Sequence, residues 1–455
     1  MKVFFNTFVL FFCLNFCVQI FDSGVLFASD WGGYVVAVSE TVNNDADWKK
    51  VVEVLQKKHS ATVVVYKENV NEILPQLQKI FPKYVCFVTR PQDTTKKFIA
   101  NIHTLTRSID SDPYPDLFWG VITGYNADSA VKLAEYDKPL IIKKAASGTV
   151  KFDLNRFDEG FKWYEVAKNE IERKEKGKKS VHAKDAPDDP TESIVKTLNE
   201  FKPDIWFTSG HATEHDWMIG YSYNAGFLVH KNGTVYGKSV DNKLYKVDSP
   251  NAKVYIPAGN CLIGHVDGAD CMATSYMHSA GVKQMIGYTV PTWFGYAGWG
   301  ISNYFIDQGG SRFNFTEAYF ANQIALNWRI VLAETNGEGK KDLGGLIFDR
   351  NVVAFYGDPA WDARVQKTPA TWTQELKIDD KDNLKTVNLT LTAITENSWE
   401  HDRPAVQFLP VRLKDHKIIK GENFNPIITD NFILVPLPKD KKIKEIKITF
   451  EAKTI

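Results

Sequence analysis

The chain has 455 residues, 44% apolar and 24% charged, ordinary values for a globular protein with room for two or three cores. Lys plus Arg equals Asp plus Glu at 55 each, so no net field draws it to nucleic acid or to an anionic membrane, and neither is expected as a partner. The N-terminus, MKVFFNTFVLFFCLNFCVQIFDSG, carries one Lys, an apolar run from Val3 to Cys17, and then Asp22, Ser23 and Gly24. The run is too short for a stable bilayer span and reads as a secretory signal peptide, residues 1–24, with an uncleaved anchor or a buried strand as the plainer alternative. The expectation is a secreted, extracellular protein, or a periplasmic one in a bacterial host, with no integral membrane segment after signal removal. Losing Cys13 and Cys17 leaves Cys86, Cys261 and Cys271, too few for a disulfide scaffold and odd in number, so at least one thiol is free.

From residue 34 short apolar runs predict strands: GYVVAVS, ATVVVY, YVCFVTR, LFWGVITG, PLIIKKA, SVHAK, DIWFTSG, KVYIPAGN and KQMIGYTV. Helices are predicted at DADWKKVVEVLQKKH, DEGFKWYEVAKNEIERKEK (158–176) and DPTESIVKTLNEF (189–201), with the charge run at 170–179 as a solvated helix end. Residues 226–248 read as an inserted β-hairpin turning at Asn232-Gly233. Apolar strands separated by helices imply an α/β class with a mostly parallel sheet flanked by helices. Beyond residue 366 the pattern becomes period-two without helices (VNLTLTAITEN, NFILVPLP, EIKITF), a small C-terminal all-β, Ig-like sandwich. The expected division is 25–140 as an N-terminal α/β subdomain, 141–366 as the subdomain holding the chemistry, and 367–455 as the sandwich. A chain ending near residue 367 is expected to stay folded.

Sites on such sheets form past the carboxyl ends of strands. Two segments there carry reactive side chains, IWFTSGHATEHDW (205–217) and KVYIPAGNCLIGHVDG (253–268). One reading takes His211, Glu214 and His215 as an H-x-x-E-H zinc motif, which needs a helix and a third ligand, and no glutamate follows until Glu317. The other pairs His211 as base with Cys261 as thiol nucleophile, at the ends of successive core strands. His265 is a lesser rival base, His215 a rim group, and Cys86 and Cys271 are packing residues.

The histidine and cysteine blocks resemble those of gingipain-type cysteine peptidases of the caspase-like fold. SDPYPDLFWGVITG, MIGYTVPTW and AFYGDPAW resemble further blocks of that family, in the family's order, over residues 30–365. The resemblance implies a secreted cysteine endopeptidase acting on protein or peptide substrates through a Cys261/His211 dyad. It implies no metal in the reaction and no required cofactor, and it allows a structural calcium ion. The N–H groups of Ala212 and Cys261 are the implied oxyanion donors, and Trp293 the wall of the specificity pocket. Ala212 stands where the family has glycine. The family's third, acidic residue falls at Ala146-Ser147-Gly148, which leaves Asp153 as the possible orienting acid. Continued in register, Asp158 is the pocket acid for a basic acyl-side residue, although Lys151 and Arg156 nearby argue for an apolar or acidic preference. A zinc peptidase using HATEH, or an inactive peptidase-like adhesion protein, are the other functional expectations.

Overall fold

The computed structural model describes residues 32–381 and 384–455, so the signal-peptide reading, with Cys13 and Cys17, lies outside the described residues. The predicted alternation produces a central sheet of strands β1 (Tyr34–Ser39), β2 (Thr62–Tyr66), β3 (Tyr84–Val88), β4 (Phe118–Ile122), β5 (Lys144–Gly148), β6 (Glu159–Trp163), β7 (Ile171–Lys174), β8 (Val181–Ala183), β9 (Ile205–Thr208), β10 (Lys253–Pro257), β11 (Val282–Tyr288) and β12 (Val353–Tyr356). Their order is β2-β1-β3-β4-β12-β11-β10-β9-β5-β6-β7-β8. Neighbours from β2 to β12 and from β11 to β6 run parallel; β11/β12, β6/β7 and β7/β8 are antiparallel. Every residue of β4, β9, β10 and β12 is buried, as expected when helices cover both faces. The two expected α/β subdomains share this one sheet, joined where Tyr356 of β12 meets Val121 of β4. Among the described residues no helix is long and apolar enough to cross a membrane.

One helix prediction is corrected. Residues 158–176, rich in Glu and Lys, form β6 and β7 with a loop between them. The parallel edge of β5 offers unpaired backbone groups, and β6 pairs with it from Lys144↔Glu159 to Ser147↔Lys162, so tertiary pairing overrides the helix preference of the side chains. Gly160 makes this contact, because a Cβ there would lie 2.7 Å from the Ala145 carbonyl oxygen. The charge run at 170–179 is therefore β7 and a turn. The hairpin prediction holds: Phe227–Lys231 and Thr234–Lys238 pair about Asn232 (φ 51°) and Gly233 (φ 70°), both left-handed as a two-residue hairpin turn requires.

The C-terminal region is two antiparallel sheets. One orders Trp372–Lys381, Leu384–Ala393, Glu445–Thr454 and Leu413–Lys420; the other orders Ala405–Phe408, Phe432–Val435 and Ile427–Ile428. They share an apolar cluster of Trp372, Leu389, Leu391, Ile433, Val435 and Ile448. The smaller sheet is not separate from the α/β unit. Val406, Phe432 and Leu434 belong to the main core, and Phe408 meets Phe118 edge-on at 4.9 Å. The Tyr304 hydroxyl donates to the Pro404 carbonyl (2.8 Å), and Arg403 reaches Asn322 Oδ1 and the Tyr296 carbonyl (both 3.3 Å). Truncation at residue 367 would expose that apolar face. A chain ending there is expected to aggregate and bind a hydrophobic dye, and a soluble monomer with cooperative unfolding would show that the α/β unit closes its own core.

Candidate active site

β9 and β10 lie side by side in parallel, with Thr208 opposite Pro257, so the segments that follow leave the sheet together. Beyond β9 the chain turns at Gly210, whose φ of +91° suits glycine, and His211 follows. Beyond β10 comes Cys261, and the next residue, Leu262, is held at φ +55°, a conformation a bulky side chain seldom adopts. Asn260 ties the two segments. Fully buried, it donates from Nδ2 to the Gly210 carbonyl (3.0 Å) and accepts at Oδ1 from the Thr208 hydroxyl (2.6 Å).

His211 and Cys261 line one cleft of about 450 Å³. The Cys261 Sγ accepts a hydrogen bond from the Thr292 N–H (3.3 Å) and lies 3.6 Å from the Thr292 carbonyl. The His211 ring stacks on Tyr221 (4.8 Å between centroids, 23° between planes), and the Tyr221 N–H donates to the Glu165 carbonyl (2.6 Å). Ala212 sits opposite Trp217 in a short bridge whose hydrogen bonds run from Thr213 and Met218, and no described group takes up the Ala212 or Cys261 N–H.

The remaining predicted residues fall elsewhere. Asp158 precedes β6 at its amino end, where its N–H donates to the Lys143 carbonyl. The five residues of β6 put it about 16 Å along the strand from the cleft. Asp153 is exposed; its carboxylate accepts from the Asn155 N–H and lies 3.5 Å from Arg156 Nε. Trp293 is 67% exposed and touches Phe294 and Phe348 rather than the cleft. The indole in the cleft is Trp299, with Lys151 Nζ 5.3 Å from its ring centroid. The acid in the cleft is Glu165, past the carboxyl end of β6. It is buried and accepts from the Thr149 hydroxyl and the Val150 N–H (both 2.7 Å) and from the Ser209 hydroxyl (3.4 Å). Reading 158–176 as strand would have put Glu165 at a strand end; reading it as helix hid that. Asn260, Tyr221 and Thr292 carry no sequence signal of their own, since their roles depend on loops meeting.

The segment from His211 to His215 is not helical, so the two histidines do not share a helix face as the zinc reading requires. His265 stands 3.7 Å from Glu214 through Nδ1 and does not line the cleft. Cys86 and Cys271 are buried, and burial pushes both thiols up. For a calcium ion, Asp110, Asp112 and Asp116 offer oxygens within 4.8 Å of one another. The Asp116 Oδ2 is buried with no partner among the described residues, and burial pushes this carboxyl up to about 9. Three such carboxylates fit a hard, oxygen-bound cation, which would neutralise them and pin the loop before β4.

No family model matches the chain, and no curated protein and no solved structure matches it. Geometry within the cleft thus carries the functional reading. Asn260→Ala is expected to cost roughly 1–3 kcal/mol, because Gly210 O and Thr208 Oγ1 lose their partner and the two segments lose their register. Urea unfolding of the variant checks it, and an unchanged midpoint would mean the loops are held by other contacts.

Proposed function

We propose that the chain is a secreted cysteine endopeptidase of the gingipain type, with a caspase-like α/β unit and an Ig-like C-terminal sandwich. The observation that carries this reading is that a thiol and an imidazole from adjacent parallel strand ends line one cleft, and that among the described residues neither the Cys261 N–H nor the N–H of Ala212, the residue after His211, has a partner. His211 removes the Sγ proton, and the thiolate attacks the acyl carbon of a bound peptide. The Ala212 and Cys261 N–H groups donate to the oxyanion. As the C–N bond breaks, His211 returns the proton to the leaving amine. Water, deprotonated by His211, then cleaves the thioester and regenerates the thiol. Stacking on Tyr221 replaces a carboxylate as the orienting element for His211.

Lys151, whose ammonium lies beside Trp299 in the cleft, has no carboxylate partner among the described residues, while the Glu165 carboxylate is occupied by Thr149, Val150 and Ser209. An acidic or uncharged acyl-side residue therefore fits better than a basic one. The test is labelling of the protein by peptidyl acyloxymethyl ketones bearing Asp, Leu or Arg next to the warhead. Labelling by the Asp and Leu reagents that needs both Cys261 and His211 supports the reading. A protein that no reagent labels at Cys261 would leave the fold without this activity.

A further inference from the structure

A second cluster of side chains lies outside the cleft, on the same two loops. We propose that Glu214, His215 and Asp267 bind a divalent transition-metal ion of the zinc class, clamping the loop that carries His211 to the loop that carries Cys261. The three residues each place one ligand atom within 4.8 Å of the others. Glu214 and His215 follow His211 by three and four positions, and Asp267 follows Cys261 by six.

The hydrogen bonds behind His215 set which of its nitrogens faces the cluster. Asp270 accepts from the N–H groups of Asn232 (3.0 Å) and Gly233 (2.8 Å), and its Oδ1 lies 3.0 Å from His230 Nδ1. A carboxylate only accepts, so His230 Nδ1 is the donor in that bond. The His230 Nε2 lies 3.0 Å from His215 Nδ1, so this nitrogen of His215 is engaged away from the cluster. The other ring nitrogen of His215, Nε2, faces the cluster and stands 3.1 Å from Asp267 Oδ2. Ligands about 2.0–2.1 Å from a tetrahedral zinc ion stand about 3.3 Å apart, close to the spacing found. The His230–Asp270 pair is the kind of outer support that fixes the tautomer of a metal-bound imidazole. His265 Nδ1, buried and without a hydrogen-bond partner among the described residues, lies 3.7 Å from Glu214 Oε1 and offers a fourth position. One or two imidazoles with carboxylates select zinc-class ions over calcium, which takes oxygen ligands.

This inference does not rest on the peptidase reading, and its test avoids activity. The full chain with Cys261→Ala, so that no reactive thiol competes, is stripped with a chelator and titrated calorimetrically with Zn²⁺ and with Ca²⁺. One Zn²⁺ per chain is expected, with an affinity reduced at least 10-fold by His215→Ala and by Asp267→Asn and left unchanged by Asp112→Asn. Zn²⁺ should raise the Tm of the parent and not of the two site variants, whose own Tm without metal reports that they are folded. His230→Gln should weaken Zn²⁺ binding about 10-fold. Failure to bind Zn²⁺, as when a second proton on His215 bridges to Asp267, overturns the proposal. So does Zn²⁺ binding that both site variants retain or that only His211→Ala removes.

Discussion

Cys261→Ala is expected to lower peptide-bond turnover by about 10⁴-fold or more, with Cys271→Ala within about twofold of wild type. The scale is that of removing a nucleophile from a catalytic unit whose binding groups remain. The contrast follows from burial. Cys86 and Cys271 are buried, and Cys271 is hydrogen-bonded to Thr274 (3.3 Å), whereas Cys261 opens onto the cleft with a backbone donor on its sulfur. His211→Ala should fall nearly as far, and the double variant little further, since the two act in one step. Fluorogenic peptide kinetics, with iodoacetamide alkylation rates of each variant, check this. Turnover surviving in Cys261→Ala, or alkylation confined to another cysteine, would remove the dyad.

The second large effect is on stability. Asp358, in the Gly-Asp-Pro stretch after β12, is 2% exposed. Its Oδ1 accepts from the Tyr34 hydroxyl (2.8 Å) and the Ala360 N–H (3.0 Å), and its Oδ2 meets His59 Nε2 (2.7 Å) and Lys58 Nζ (3.0 Å). Burial pushes this carboxyl up, but the hydrogen bond and charge of His59 and the charge of Lys58 outweigh it and hold the carboxyl at about 2. Asp358→Asn leaves Lys58 and His59 without their counter-charge and is expected to cost about 3–5 kcal/mol in urea unfolding. The sign of the pH dependence follows from the depressed value. The carboxylate is ionised in both states above about pH 4, where its contribution is complete, and that contribution is lost as pH falls from about 4 through about 2. Wild type should therefore lose roughly 2 kcal/mol from this group across that window, and Asp358→Asn should lose none of it. Parallel stability curves for the two proteins between pH 4 and pH 2 would show that Asp358 ionises normally.

Much of the α/β class was open to reading from the amino-acid sequence. Runs such as YVCFV and VYIP are apolar at every position, which only burial on both faces rewards, and the NG turn admits few backbones. His211 and Cys261 were legible for the same reason: each follows an apolar run closely enough to lie past a strand end. Local preference could not decide residues 158–176, where Glu and Lys favour helix but the free edge of β5 imposes a strand, and the acid moved with them. Asp158 went to the far end of the sheet and Glu165 into the cleft. Trp293 and Trp299 are equivalent by composition, and only the turn at Gly295 separates the exposed indole from the one in the cleft. Asn260, the His215–His230–Asp270 relay and the docking of the C-terminal sheet join segments tens to hundreds of residues apart. Their energies come from hydrogen bonds and buried area that exist only once the chain has closed, so tertiary structure alone decides them.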